Sequence, residues 1–139
     1  HKRFELPAGV TGAGRRHYLE LGAVKNLARV RLNGADLGLL WKPPFRVEVT
    51  ERLKPGMNEL QVEVTNLLVN RMIGDEQLSG RDPERDGFPE WVLSARSDSG
   101  SGRYTWSTWK GWARDDKLLA SGLLGPVRLL TGAVVRQDF

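Results

Sequence analysis

Between Val30 and Asn66 the chain reads VRLNGADLGLLWKPPFRVEVTERLKPGMNELQVEVTN, three alternating apolar and polar runs joined by two turns of identifiable chemistry. The first run sets Ala28, Val30 and Leu32 against Arg29 and Arg31, the period-2 signature of a strand with one buried side. Asn33-Gly34 tolerates positive φ and suits a tight hairpin, so Ala35 to Leu40 is expected to return antiparallel. In the second run Phe45, Val47 and Val49 oppose Arg46, Glu48 and Thr50, and Lys54-Pro55-Gly56 then has the Pro-Gly order of a type II turn. The third run, Asn58 to Thr65, sets Leu60, Val62 and Val64 against Glu59, Gln61, Glu63 and Thr65. Half-buried strands of this size need a second sheet over them, which makes the expected fold an all-β antiparallel β-sandwich.

Composition bounds the reading. A chain of 139 residues fits one domain, expected here as a single sandwich over residues 1–139, and at that size roughly two thirds of the unfolded surface is buried. There is no cysteine, so neither a disulfide framework nor thiolate chemistry is available. No apolar run approaches the ~20 residues of a membrane span, and no signal-peptide pattern opens the chain. His1 stands at the head of an alternating segment, Phe4 and Leu6 against Arg3 and Glu5, which reads as a piece excised from something longer. The formal charge of +4 raises nucleic-acid binding, but the arginines and lysines are scattered beside acidic residues, which argues for an ordinary solvated surface.

Upstream, Arg16 to Leu21 reads as a strand with His17, Leu19 and Leu21 on one face. Past Asn66 the pattern changes. Leu67 to Asp75 has apolar residues without a clean period, and residues 75–103 read as a long loop rich in Gly, Pro, Asp, Ser and Arg. Long loops without regular structure tend to be binding or lid segments. Further strands are expected near Arg103 to Trp106, at Gly125 to Leu130 and at Ala133 to Phe139, about eight in all, in keeping with a jelly roll.

Three blocks, VKNLARVRLNGADLGLLWKPPFRVEVT, LKPGMNELQVEVTNLLVNRMIGDEQ and LLASGLLGPVRL, resemble the C-terminal β-sandwich of α-L-rhamnosidases of glycoside hydrolase family 106. More distantly they resemble the sugar-binding jelly roll of family 2 β-galactosidases. The blocks span about Lys25 to Gln77 and Leu118 to Leu130. The resemblance implies a galactose-binding-like sandwich attached to the catalytic barrel of a bacterial enzyme acting on plant or polysaccharide rhamnosides. It also implies an extracellular or periplasmic setting, and that the catalytic carboxylates sit on the barrel.

The side chains fit that expectation. An indole stacks on the C–H faces of a sugar ring and keeps an N–H for a hydroxyl, and the chain carries five tryptophans. Trp106 continues the Tyr104 strand and reads as core, whereas Trp109 and Trp112 stand in polar company, where core and sugar platform both remain open. Trp91, within FPEWVL, is equally a loop anchor or a platform. Trp41, ahead of Lys42-Pro43-Pro44, is expected to plug one end of the sandwich. Asn66, Asn70, Arg71 and Asp75 could fix hydroxyl pairs through bidentate hydrogen bonds. Equally, the asparagines could close turns and Arg71 could pair with Asp75 at i,i+4.

Asp82-Pro83-Glu84-Arg85-Asp86-Gly87 echoes the start of a calcium loop, but position twelve would be Leu93 rather than Glu. No cofactor is therefore expected, while the resemblance leaves room for a structural calcium. His1 and His17 do not suggest zinc. Asp75, Glu76 and Glu90 could be cast as a glycosidase pair, yet nothing sets them across a cleft. The expectation is a monomeric, non-catalytic carbohydrate-binding module with a rhamnose-containing glycan as ligand. Trp109, Trp112, Trp91 and Tyr104 would supply aromatic surface, and Asn70, Arg71 and Asp75 polar selection. The alternative is an accessory domain that borders the catalytic barrel and has no sugar affinity of its own. Neither reading calls for nucleic acid or a membrane.

Overall fold

The computed structural model describes residues 1–12, 14–78, 111–113, 115–135 and 137, with the side chains of 75–78 outside the description. Nine strands and one helix form among these residues. They divide into two compact units, residues 1–66 with 121–139 and residues 67–120.

The first unit is the expected all-β antiparallel sandwich of jelly-roll type. One sheet has the order β1-β7-β4-β5, from β1 (Lys2–Leu6), β7 (Gly56–Thr65), β4 (Leu27–Leu32) and β5 (Ala35–Leu40). The other has the order β6-β2-β9, from β6 (Arg46–Glu48), β2 (Arg15–Glu20) and β9 (Arg128–Ala133). A ribbon of β3 (Ala23–Lys25) and β8 (Gly122–Gly125) completes it. The period-2 faces meet inside: Leu6, Leu19, Leu21, Ala28, Val30, Leu32, Phe45, Val49 and Leu60 share one buried cluster. His17 is buried with them, its Nδ1 paired with Thr131 Oγ1 at 3.0 Å and its backbone N–H donating to Thr50 Oγ1 at 2.9 Å.

Both expected turns form. Asn33 and Gly34 hold φ of 52° and 83°, the double positive φ that matches a two-residue turn to strand twist, and Leu32 faces Ala35 across it. Gly56 takes φ of 77° at the third position of the Lys54-Pro55-Gly56 turn. Asn58 ties the two turns together. It lies on the inward face of β7 and is 1% exposed, so its amide must find partners inside the protein. Its Nδ2 donates to the carbonyls of Lys54 (2.7 Å) and Gly56 (3.0 Å), and its Oδ1 accepts from Lys54 N–H (3.0 Å) and from Asn33 Nδ2 (2.9 Å). Asn33 in turn donates from Nδ2 to Arg52 O and accepts Glu59 N–H at Oδ1.

Three sequence expectations are corrected. No continuous strand spans Gly125 to Leu130: β8 ends at Gly125, where φ is positive and Pro126 supplies no N–H, and β9 starts at Arg128. Ala133 is the end of β9 rather than the start of a last strand, because β9 stops where its partner β2 begins, at the Arg15–Ala133 pair; one further bond, Val134 N–H to Gly14 O, closes it. In the second unit, a helix α1 runs Val69–Leu78, where no period was expected and where 75–78 were assigned to a loop. Val69, Met72 and Ile73 supply its apolar face at i, i+3 and i+4, with Ile73 1% exposed. Residues 79–103, the rest of the expected loop, and the strand at Arg103 to Trp106 lie outside the described residues.

Asn58→Ala is expected to cost about 1–3 kcal/mol, since it removes the partner of the Lys54 and Gly56 backbone groups and of the Asn33 amide; equilibrium urea unfolding measures it, and a loss below about 0.5 kcal/mol would show that water can replace the amide. A smaller, pH-dependent effect belongs to Asp36. The Gly38 N–H, and after it the Arg29 guanidinium, hold its carboxyl below the usual carboxylate range. Its folded pKa is thus depressed, so its contribution is present above the unfolded value and is lost as pH falls through the folded one. Asp36→Asn is expected to flatten the acid limb of the melting temperature versus pH curve while leaving the alkaline limb unchanged.

Candidate functional site

An open cleft of about 360 Å³ lies on the sandwich, lined by Glu20, Gly22, Ala23, Val24, Lys25, Asn26, Trp41, Pro43, Pro44 and Phe45. That volume lies in the range of small-ligand sites. One wall is the end of β2 passing through Gly22 into β3. Gly22 has φ of 67°, and a Cβ there would stand 2.4 Å from the carbonyl carbon of Gly125, so the backbones of the β3–β8 joint approach as only glycine permits. Asn26 at the far end is pinned by its N–H to Thr65 O at 2.9 Å.

The segment after β5 also lines the cleft. Trp41 does not plug the sandwich: it is 65% exposed, and Phe45, 7% exposed, fills that place instead. Pro43 and Pro44 carry the chain around the rim so that position 45, not 41, resumes the inward alternation, and Phe45 O then accepts Leu21 N–H at 2.8 Å. The indole of Trp41 is thus left at the cleft with Lys42 Nζ 5.1 Å from its ring centroid, within cation–π range. Glu20, which also lines the cleft, is held by Arg46 Nη2 at 2.5 Å. The arrangement offers an aromatic surface, an amide, an ammonium and a carboxylate, the donor and acceptor set for hydroxyl recognition.

The residues expected from sequence lie elsewhere. Asn70 is on α1 and its amide is engaged on both sides by one backbone unit, Nδ2 donating to Leu119 O (2.7 Å) and Oδ1 accepting Leu119 N–H (2.8 Å). Arg71 is exposed on the same helix. Trp112 is half-buried in the second unit. Asn66 Nδ2 donates to Ser121 Oγ at 2.8 Å, joining the residues where the chain leaves and re-enters the first unit. Trp91, Tyr104 and Trp109, the Asp75 side chain and the calcium-like segment 82–87 lie outside the described residues. Among the described residues no group of three His, Asp or Glu could hold a metal, and no helix is long and apolar enough to cross a membrane.

No protein-family profile matches the chain. A protein of Formosa agariphila that carries a provisional β-glucuronidase designation is 43% identical over 133 residues, which is 93% of this chain and 11% of that one. The structure of a rhamnosidase from Novosphingobium sp. PP1Y superposes with a TM-score of 0.70 at 34% identity, covering 94% of this chain and 10% of that one. Its relatives are glycoside hydrolases. A β-glucuronidase from Bifidobacterium dentium is 37% identical over only 45% of this chain, with a TM-score of 0.42. The chain spans about a tenth of the length of the relatives it matches.

The cleft was hard to find from sequence because Trp41 sits inside an otherwise regular strand pattern; the signal was the Pro-Pro pair, which breaks the alternation just after it. Replacing Trp41 by Ala is expected to change unfolding free energy by less than about 1 kcal/mol, whereas Phe45→Ala is expected to cost about 3–5 kcal/mol. Comparable losses in the two variants, read by thermal or urea unfolding, would return Trp41 to the core.

Proposed function

We propose that this chain is a non-catalytic accessory domain of a glycoside hydrolase and that it binds carbohydrate at the Trp41 cleft, with a rhamnose-containing glycan as the favoured ligand. The observation that carries the reading is an exposed indole on the wall of a cleft that also holds Asn26, Lys25 and Glu20. Large exposed aromatics cost solubility, and in polar surroundings they serve as stacking platforms for sugar C–H faces. The similarity to a rhamnosidase over a tenth of that enzyme's length supports the accessory role, and leaves the catalytic carboxylates to another part of such an enzyme. An extracellular or periplasmic setting and a monomeric state belong to the same proposal. Trp91, Tyr104, Trp109 and Trp112, with Arg71 and Asp75, remain candidates for a second contact surface.

The second reading, an accessory domain that packs on a catalytic barrel without sugar affinity, has its own support. In the second unit Leu67, Leu68, Leu118 and Leu119 are each more than half exposed, an apolar surface that a neighbouring domain would cover. Calorimetric titration of the chain with L-rhamnose and rhamnose-containing oligosaccharides separates the readings. Binding near millimolar, as a small sugar on an open platform reaches, and its loss in Trp41→Ala, is the expected result. Silence at tens of millimolar ligand would leave the packing role alone.

A further inference from the structure

The charges around the cleft are not balanced, and their imbalance names a class of ligand. Glu20 is its only carboxylate among the lining residues, and that carboxylate is committed: Arg46 binds it directly, and Arg128 stands opposite Glu20 in the β2–β9 register. Lys25 lines the cleft from the end of β3, and Lys42 holds its ammonium over the Trp41 ring. Among the described residues neither lysine has a carboxylate partner, although five ion pairs form elsewhere on the same unit, where Arg3, Arg16, Arg29, Arg31 and His1 each find one. Two ammonium groups without a carboxylate partner among the described residues therefore accompany the exposed indole, Lys42 over its ring and Lys25 among the lining residues, and the lining carboxylate is paired with Arg46.

From this juxtaposition we infer that the Trp41 cleft selects a negatively charged saccharide, one whose ring stacks on the indole while a carboxylate or sulfate ester meets Lys25 and Lys42. The inference rests on the sugar-binding reading above and adds the charge of the ligand to it. A neutral sugar would leave both ammonium groups to water and draw nothing from them. An anionic substituent replaces water at flexible, rotatable donors, an interaction that is modest at an exposed site and weakens as salt screens it. The indole supplies the sugar requirement: inorganic anions have no C–H face to lay on it. The lysines supply the charge requirement, since an ammonium acts on either anion as a point charge.

The test uses the whole chain and isothermal titration with methyl glucuronide, glucose 6-sulfate, methyl glucoside and inorganic sulfate, each at about 20 and about 300 mM salt. The expected result is that one or both charged sugars bind about 3- to 30-fold tighter than methyl glucoside at low salt. That advantage should shrink at high salt and disappear in the Lys25→Gln, Lys42→Gln double variant, which should keep its melting temperature because both residues are exposed. Comparison of the uronide with the sulfate ester tells which anion is preferred. Equal, salt-independent binding of neutral and charged sugars would overturn the charge selection while the sugar-binding reading stood. Inorganic sulfate binding as tightly as the sugar sulfate, or a charge preference that survives in the double variant, would overturn it as well. No binding of any saccharide would remove both readings together.

Discussion

A single buried amide organises the sandwich. Asn58 stands on the inward face of β7, where the alternation calls for an apolar side chain, and it satisfies four hydrogen-bonding positions within the protein. Because both carbonyls and the N–H of the Lys54 to Gly56 turn close on it, the turn cannot shift without leaving the buried Asn58 amide short of partners. Through Asn33 the same amide fixes the β4–β5 hairpin, and Asn33 N–H and Oδ1 both engage the Glu59 backbone on β7. Two turns far apart in sequence become one joint, and the registers of β4, β5 and β7 follow from it.

That joint determines where the cleft can be. With β4 and β7 held in register, β4 is entered from Asn26, which Thr65 at the end of β7 holds in place, and β3 immediately before it must fold against β8. Gly22 and Gly125 meet there without side chains between them. On the other side, β5 ends at Leu40 and the chain must cross to the opposite sheet to form β6 beside β2. The crossing is the Trp41 to Pro44 segment. Prolines that cannot donate to a ladder leave it unpaired, and Phe45 anchors it into the core. An exposed indole beside a cleft is the consequence of a connection between sheets.

The similarity to glycoside hydrolases over about a tenth of their length fits this economy of means. Among the described residues, Glu20 is the carboxylate that lines the cleft, and it is paired with Arg46. The surface the chain presents is an indole and two ammonium groups on the first unit, and exposed leucines on the second.

The sequence by itself determined the strands and turns of the sandwich, because alternation reports a buried face locally and Asn-Gly and Pro-Gly report positive φ locally. Ala28, Val30 and Leu32, and His17, Leu19 and Leu21, all lie inward as their spacing requires. Helix α1 escaped because only Val69, Met72 and Ile73 carry its period, broken up by Asn70, Gly74 and Asp75. Only the tertiary structure decided which sheet each run joins: Val47 and Val49 alternate like Val62 and Val64, yet β6 pairs with β2 while β7 lies between β1 and β4. It alone turned Trp41 outward and brought Lys25, Lys42 and Glu20 to one place, since a period of two records that a residue faces inward or outward, but carries nothing about which distant segment it will face.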